Sequence, residues 1–307
     1  RDSLKAGETA ALTFTLSEAS TDFIQSDVTV SGGALSSFSG SGTTYTATFT
    51  PTADSTTNGV ISVASAKFTN AAGTANNDGS SSNNTVTLTV DIVRPTIAIS
   101  SDVSSLKAGE TATLTFTLSE ASSNFAQSDV TVSGGALSSF SGSGTTYTAT
   151  FTPTADSTTN GVISVASTKF SDAAGNTNTD GSDSNNTITL TVDRLIPVFL
   201  SAATSTDGSK IILTYNEALS TVLPIALAFT AKVDGTLNAT TSVEVANSTV
   251  ELIVGSTIQK GQTVTIAYFD LTSADDINAI QDQAGNDAAT FNTCLLYTSP
   301  SPRDLRK

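Results

Sequence analysis

The chain has 307 residues, 13 Lys and Arg against 28 Asp and Glu, a net charge of −15, no His, Met or Trp, and one Cys. An acidic surface repels phosphate backbones and anionic lipid, so nucleic-acid binding is not expected, and no apolar run approaches the roughly 18–20 residues of a membrane span. Without imidazole the commonest general base is missing, and no nucleophile-elbow G-x-S-x-G occurs, so no enzyme is expected.

In chain order, the first strands alternate apolar and polar residues: Leu12–Leu16, Tyr45–Phe49 and Val86–Val90. Period-two alternation places one face of each in a core, and threonine fills the outward positions, where its branched Cβ suits an extended backbone. Gly, Ser, Asn and Asp clusters such as Ser39–Gly42 and Asn76–Ser80 separate the runs. Leu4-Lys5-Ala6-Gly7-Glu8 then returns as Leu106-Lys107-Ala108-Gly109-Glu110, and the match holds at constant offset through Asp91 and Asp193. A period of roughly 100 residues exceeds a solenoid unit and fits a whole domain copied in tandem.

The second copy carries about seven strands, the count of an immunoglobulin-like sandwich. They are expected near Thr96–Ser100, Thr111–Ser119, Ser128–Ser133, Ala136–Ser141, Thr145–Thr152, Gly161–Phe170 and Thr187–Val192. The first copy shows no counterpart to the first of these, which leaves a neighbouring strand edge exposed. With no initial Met and no signal segment, the sequence is expected to start inside a longer protein. A third module of different sequence repeats the grammar in Lys210–Tyr215, Thr241–Val245, Val250–Val254 and Thr263–Tyr268. The expected fold class is all-β: tandem immunoglobulin-like β-sandwich domains over residues 1–93, 94–193 and 194–293. The short, proline-bearing connections Val90–Pro95 and Val192–Pro197 favour an extended rod.

One polar constellation recurs. The second strand ends in Glu18, Glu120 or Glu217, and a later turn reads Asn70-Ala71-Ala72-Gly73-Thr74, Asp172-Ala173-Ala174-Gly175-Asn176 or Asp282-Gln283-Ala284-Gly285-Asn286. Sandwich topology brings Glu120, Asp172 and Asn176 to the pole where the linker with Asp91 arrives, and Glu217, Asp282 and Asn286 to the pole reached by Asp193. Hard carboxylate and amide oxygens of this kind suit Ca2+, which would cancel the clustered charge and fix the angle between modules. The plainer reading is a strand-end Glu beside a good turn. In the first module Asn70 and Thr74 lower the charge, so Glu18 is the weakest of the candidate ligands. The run Asp180–Asn185 lacks the glutamate that closes an EF-hand loop and reads as a polar loop.

Through Leu106–Glu110, Leu114–Glu120, Tyr147–Pro153 and Asp172–Asn176, the first two modules resemble the bacterial Ig-like repeats of giant adhesins and biofilm-associated proteins. That resemblance implies non-catalytic stalk domains, often exported by type I secretion and often stiffened by calcium. Through Ile212–Leu219, Gly261–Tyr268 and Ile280–Phe291, the third module is similar to the SwmB-like repeat of a cyanobacterial swimming-motility surface protein. The tail Cys294–Lys307, with the only Cys, resembles a translated sequencing adapter and is set apart from the fold.

The expected function is a stalk segment of a secreted bacterial surface adhesin, extracellular, with neighbouring domains of the same chain and a surface ligand of unknown identity as partners. Two alternatives stand beside it: a glycan- or protein-binding sandwich, and spacer domains of a larger secreted hydrolase. Tyr45 and Tyr147, which offer rings for stacking on sugar, alternate with Phe49 and Phe151 and read as core.

Overall fold

The computed structural model describes residues 3–272 and 276–297. Among them there is no α-helix, and the chain is all-β with Ig-like domains.

The first group of strands is β1 (Ser3–Leu4), β2 (Ala10–Ser20), β3 (Val28–Ser31), β4 (Gly33–Pro51), β5 (Gly59–Val63) and β6 (Thr85–Val90). The second is β7 (Ile97–Ser101), β8 (Ser105–Leu106), β9 (Ala112–Ser122), β10 (Val130–Ser133), β11 (Gly135–Pro153), β12 (Gly161–Val165) and β13 (Thr187–Val192). The third is β14 (Phe199–Thr204), β15 (Lys210–Tyr215), β16 (Phe229–Val233), β17 (Thr236–Leu237), β18 (Thr240–Ala246), β19 (Thr249–Val254), β20 (Thr263–Tyr268) and β21 (Phe291–Tyr297).

In the second module the sheets are β11-β9-β7 and β10-β12-β13-β8. The first strand of the sandwich is split: β7 runs antiparallel to β9, then the chain crosses and β8 runs parallel to β13. The inward residues Leu114, Phe116, Leu118, Phe151, Ile163 and Leu190 are buried between the sheets, with Ile97 and Ile99 closing one side. Tyr147 lies in this core and its hydroxyl donates to the Ser122 carbonyl at 2.7 Å, which satisfies a buried polar tip. Tyr45 does the same to Ser20. Both rings are therefore packing residues.

Two expectations change. The pair of strands expected at Ala136–Ser141 and Thr145–Thr152 is one continuous element, β11. It turns on itself where Ser139, Gly142 and Gly144 take positive φ, and Ser141 Oγ and Thr148 Oγ1 meet at 3.3 Å. The strand expected over Gly161–Phe170 stops at Val165. Beyond it Thr168 takes φ 63°, and the side chain of Asn178 captures the N–H groups of Lys169 and Phe170, so the backbone bonds go to a loop.

In the first module the sheets are β1-β6-β5-β3 and β2-β4. The parallel half of the split strand is present as β1, and no described strand takes the place of β7. In the third, β14-β15-β19-β18 faces β17-β16-β20-β21 around Leu213, Tyr215, Leu252, Ile266 and Tyr268. Cys294–Tyr297, set apart in the sequence, continue β21 against β20, with Leu296 buried; residues 298–307 lie outside the described residues.

Candidate functional site

Apart from Glu18, the candidate ligands singled out in the sequence gather at the two module junctions. Each junction is built from two turns. Lys5–Glu8 is closed by Glu8 N–H to the Lys5 carbonyl at 3.0 Å and Lys5 N–H to Glu8 Oε2 at 3.1 Å. Gly7 supplies the φ of 83° that this reversal needs. The facing turn, Asp172–Asn176, is closed by Asn176 N–H to Asp172 Oδ1 at 2.8 Å.

Asn176 joins the two. Its Oδ1 accepts the Ala6 N–H at 2.7 Å, and its Nδ2 donates to the Asp91 carbonyl at 3.0 Å and to Asp172 Oδ2 at 2.7 Å. Lys5 Nζ adds a bond to the Gly175 carbonyl at 3.3 Å. One buried amide thus ties together the preceding module, the linker and its own turn. The second junction repeats this bond for bond. Asn286 accepts from Ala108 N–H at 2.7 Å and donates to Asp193 O at 3.0 Å and Asp282 Oδ2 at 2.7 Å, and Lys107 Nζ reaches Gly285 O at 3.1 Å. The linkers are held as well: Ile92 N–H bonds Ser55 O, Arg94 bonds Thr177 O, and Arg194 bonds Pro153 O.

Beside the first junction, Asp91, Glu120 and Asp172 bring carboxylate oxygens within 4.8 Å of one another. Burial raises the Glu120 pKa above its ordinary value, and the charges of Asp91 and Asp172 push it further. Asp91 Oδ1 is buried with no hydrogen-bond partner. At the second junction Glu217 is raised for the same reasons, burial first, then Asp282 and Asp193, and its Oε1 is likewise buried and unpartnered.

The first module differs from the other two. Glu18 is exposed and accepts a hydrogen bond from Asn70 Nδ2, so an amide stands where the other modules have an acid. Asn70 Oδ1 caps its own turn through Ala72 and Thr74 N–H.

Two contributions escape sequence reading. Lys5-Ala6 and Lys107-Ala108 mark the repeat, yet nothing local to them shows that they dock on the next module. Asp180, in the loop read as merely polar, is buried and its Oδ2 accepts the Ile97 N–H at 2.6 Å, which anchors β7. A signal for the docking exists in the juxtaposition of motifs: Lys-Ala-Gly-Glu precedes, by one module, each turn that carries both Asp and Asn.

The bacterial Ig-like domain profile matches residues 1–87 and 91–189, and that of a flagellar system-associated repeat matches residues 192–273. No curated protein matches the chain. Among solved structures, the Escherichia coli adhesin FdeC is 15% identical over 98% of this chain and 95% of that chain, with a TM-score of 0.38. Titin domains I67–I69 are 10% identical over 97% of this chain and 95% of that chain, with a TM-score of 0.39. The N-terminal part of the bacterial S-layer protein SbsC is 23% identical over 35% of this chain, which spans 25% of that chain, with a TM-score of 0.29. No helix among the described residues is long and apolar enough to cross a membrane.

Proposed function

We propose that this chain, which belongs to the bacterial Ig-like domain family, is a stalk segment of a secreted bacterial surface adhesin whose junctions are stiffened by Ca2+. The observation that carries the reading is the repetition of the junction. Asn176 and Asn286 make the same bonds to Ala6 and Ala108 although the second and third modules differ in sequence. A binding or catalytic module has no need of identical joints; a spacer does, because a fixed joint repeated along a chain sets its reach.

The donor set fits a hard cation. Asp91, Glu120 and Asp172 would hold it at the first junction, and Asp193, Glu217 and Asp282 at the second. What supports this is the unpartnered buried oxygen at each place, Asp91 Oδ1 and Glu217 Oε1, together with the burial and mutual repulsion that raise the pKa of Glu120 and Glu217. A bound ion would turn that repulsion into a clamp across linker and module, while Asn176 and Asn286 hold the two turns in place without it.

Small-angle scattering of the protein in Ca2+ and in chelator tests the reading. An elongated particle whose maximum dimension narrows in distribution on adding Ca2+ is expected. A compact particle in both conditions would overturn the stalk, and an elongated one indifferent to Ca2+ would leave the stalk and remove the ion.

A further inference from the structure

Exposed apolar side chains concentrate in the third module. Across the described residues of the first two modules, the large apolar side chains at the surface are Ile24, Val86 and Val103, each on a different segment. Scattered single residues of this kind are ordinary. In the third module the loop between β15 and β16 presents Leu223, Ile225 and Leu227, and the loop between β20 and β21 presents Phe269, Leu271 and Ile277. Leu227 is 81% and Ile277 69% exposed, so neither serves the core. The loop between β9 and β10 of the second module instead turns its Phe125 inward against Phe170.

Backbone bonds draw the two loops into one surface. Ser220 N–H donates to Gln281 O at 2.8 Å, Ile225 N–H to Asn278 O at 3.1 Å, and Phe269 N–H to Ala228 O at 2.9 Å. The hydroxyl of Tyr268, a fully buried residue, accepts the Ile280 N–H at 2.9 Å and pins the second loop to the core. The six apolar side chains therefore sit on a backbone fixed before any partner arrives, which lowers the ordering cost of binding. An exposed apolar patch rimmed by polar groups marks an interaction surface. This rim is acidic. Asp270 stands between Phe269 and Leu271, and Asp276 precedes Ile277 and donates its N–H to Asp287 Oδ2 at 3.1 Å. Neither loop contains a Lys or Arg; Lys107 of the second module meets the second loop at Gly285, in the junction turn.

We infer that this surface docks a cationic amphipathic segment of a second polypeptide, one whose apolar residues are flanked by Lys or Arg. The apolar side chains of the segment cover Leu223, Leu227 and Ile277, and its basic groups face Asp270 and Asp276. Charge decides between occupants. A second copy of this chain carries the same net charge of −15, and an anionic lipid surface has the same sign, so both are repelled, while a basic segment is attracted and steered. Burial of the apolar side chains then supplies the affinity. None of the six apolar residues is a candidate ion ligand, so the surface does not depend on Ca2+ at the junctions.

The test uses the full protein and a fluorescein-labelled amphipathic peptide built only of Leu and Lys, followed by anisotropy. Saturable one-to-one binding that weakens as salt rises is expected. A peptide with Ser in place of Leu should bind far more weakly, and one with Glu in place of Lys should not bind. Leu227→Ser/Ile277→Ser in the protein, two changes at the surface, should weaken binding about tenfold or more with the circular dichroism unchanged. No binding of the Leu/Lys peptide, equal binding of the Ser/Lys peptide, or an affinity unchanged by the double substitution overturns the proposal. So does a dimer by sedimentation, or flotation with phosphatidylcholine vesicles, that the double substitution abolishes, because a second copy or a lipid surface is then the occupant.

Discussion

Asn176 Oδ1 accepts the backbone N–H of Ala6 at 2.7 Å, across 170 residues of chain, and places a side chain that is 2% exposed between two modules. The bond is directional at both ends: the oxygen faces an N–H, and the nitrogen faces the Asp91 carbonyl and the Asp172 carboxylate. An aspartate of the same shape lacks the donors, and an alanine lacks everything.

Asn286→Ala should therefore destabilise the second junction by about 2–3 kcal/mol, since three hydrogen bonds of roughly 1 kcal/mol each are lost and the Ala108 N–H loses its partner. Urea denaturation of the third module, followed through its tyrosines, measures this. Asn286→Asp should cost more in chelator than in Ca2+, because it adds a fourth carboxylate to the cluster.

Calcium should raise the melting temperature through preferential binding to the folded state. Glu120→Gln removes a charge without touching the turn, so it should abolish the part of the shift that belongs to the first junction and leave the chelated protein as stable or more so. Asp172→Ala should lower stability even in chelator, because Asp172 Oδ1 holds the Asn176 N–H at 2.8 Å. Differential scanning calorimetry with and without Ca2+ separates the two effects. No shift in the unsubstituted protein at millimolar Ca2+ would remove the ion from the junction.

The pH response follows from the raised pKa values of Glu120 and Glu217. Between the ordinary value of 4.5 and the raised folded value, the folded state binds more protons than the unfolded state, so these two groups make stability fall as pH rises through that window. In chelator, the Glu120→Gln/Glu217→Gln variant should gain stability relative to the unsubstituted protein as pH rises above 4.5. Saturating Ca2+ should shrink that gain. Paired melts at successive pH values read it directly.

Tyr147→Phe should destabilise the second module by about 1–2 kcal/mol, because the Ser122 carbonyl is left buried without its donor. Tyr45→Phe should do the same in the first. Glycan binding by either ring is not expected, since both are 5% exposed.

Sequence periodicity alone determined the all-β class, the tandem copy and most strands, because a period of two and turn residues at element ends are local signals. It also pointed to the acids that meet: Glu120, Asp172 and Asp91 recur at positions that sandwich topology carries to one pole. Where local bonds compete, periodicity misled. Ser139 and Gly142 bend β11 without breaking it, and Asn178 takes the backbone donors that would have extended β12. Only the tertiary structure decided that Asn176 and Asn286 are joints between modules, that Lys5-Ala6 is the other half of the joint, and that Asp180 anchors a strand. Each of these rests on a bond between groups some 80 to 180 residues apart in the chain. Such a bond leaves no local pattern in the sequence: its geometry exists only once the separate sandwiches have packed their own cores and brought their poles together.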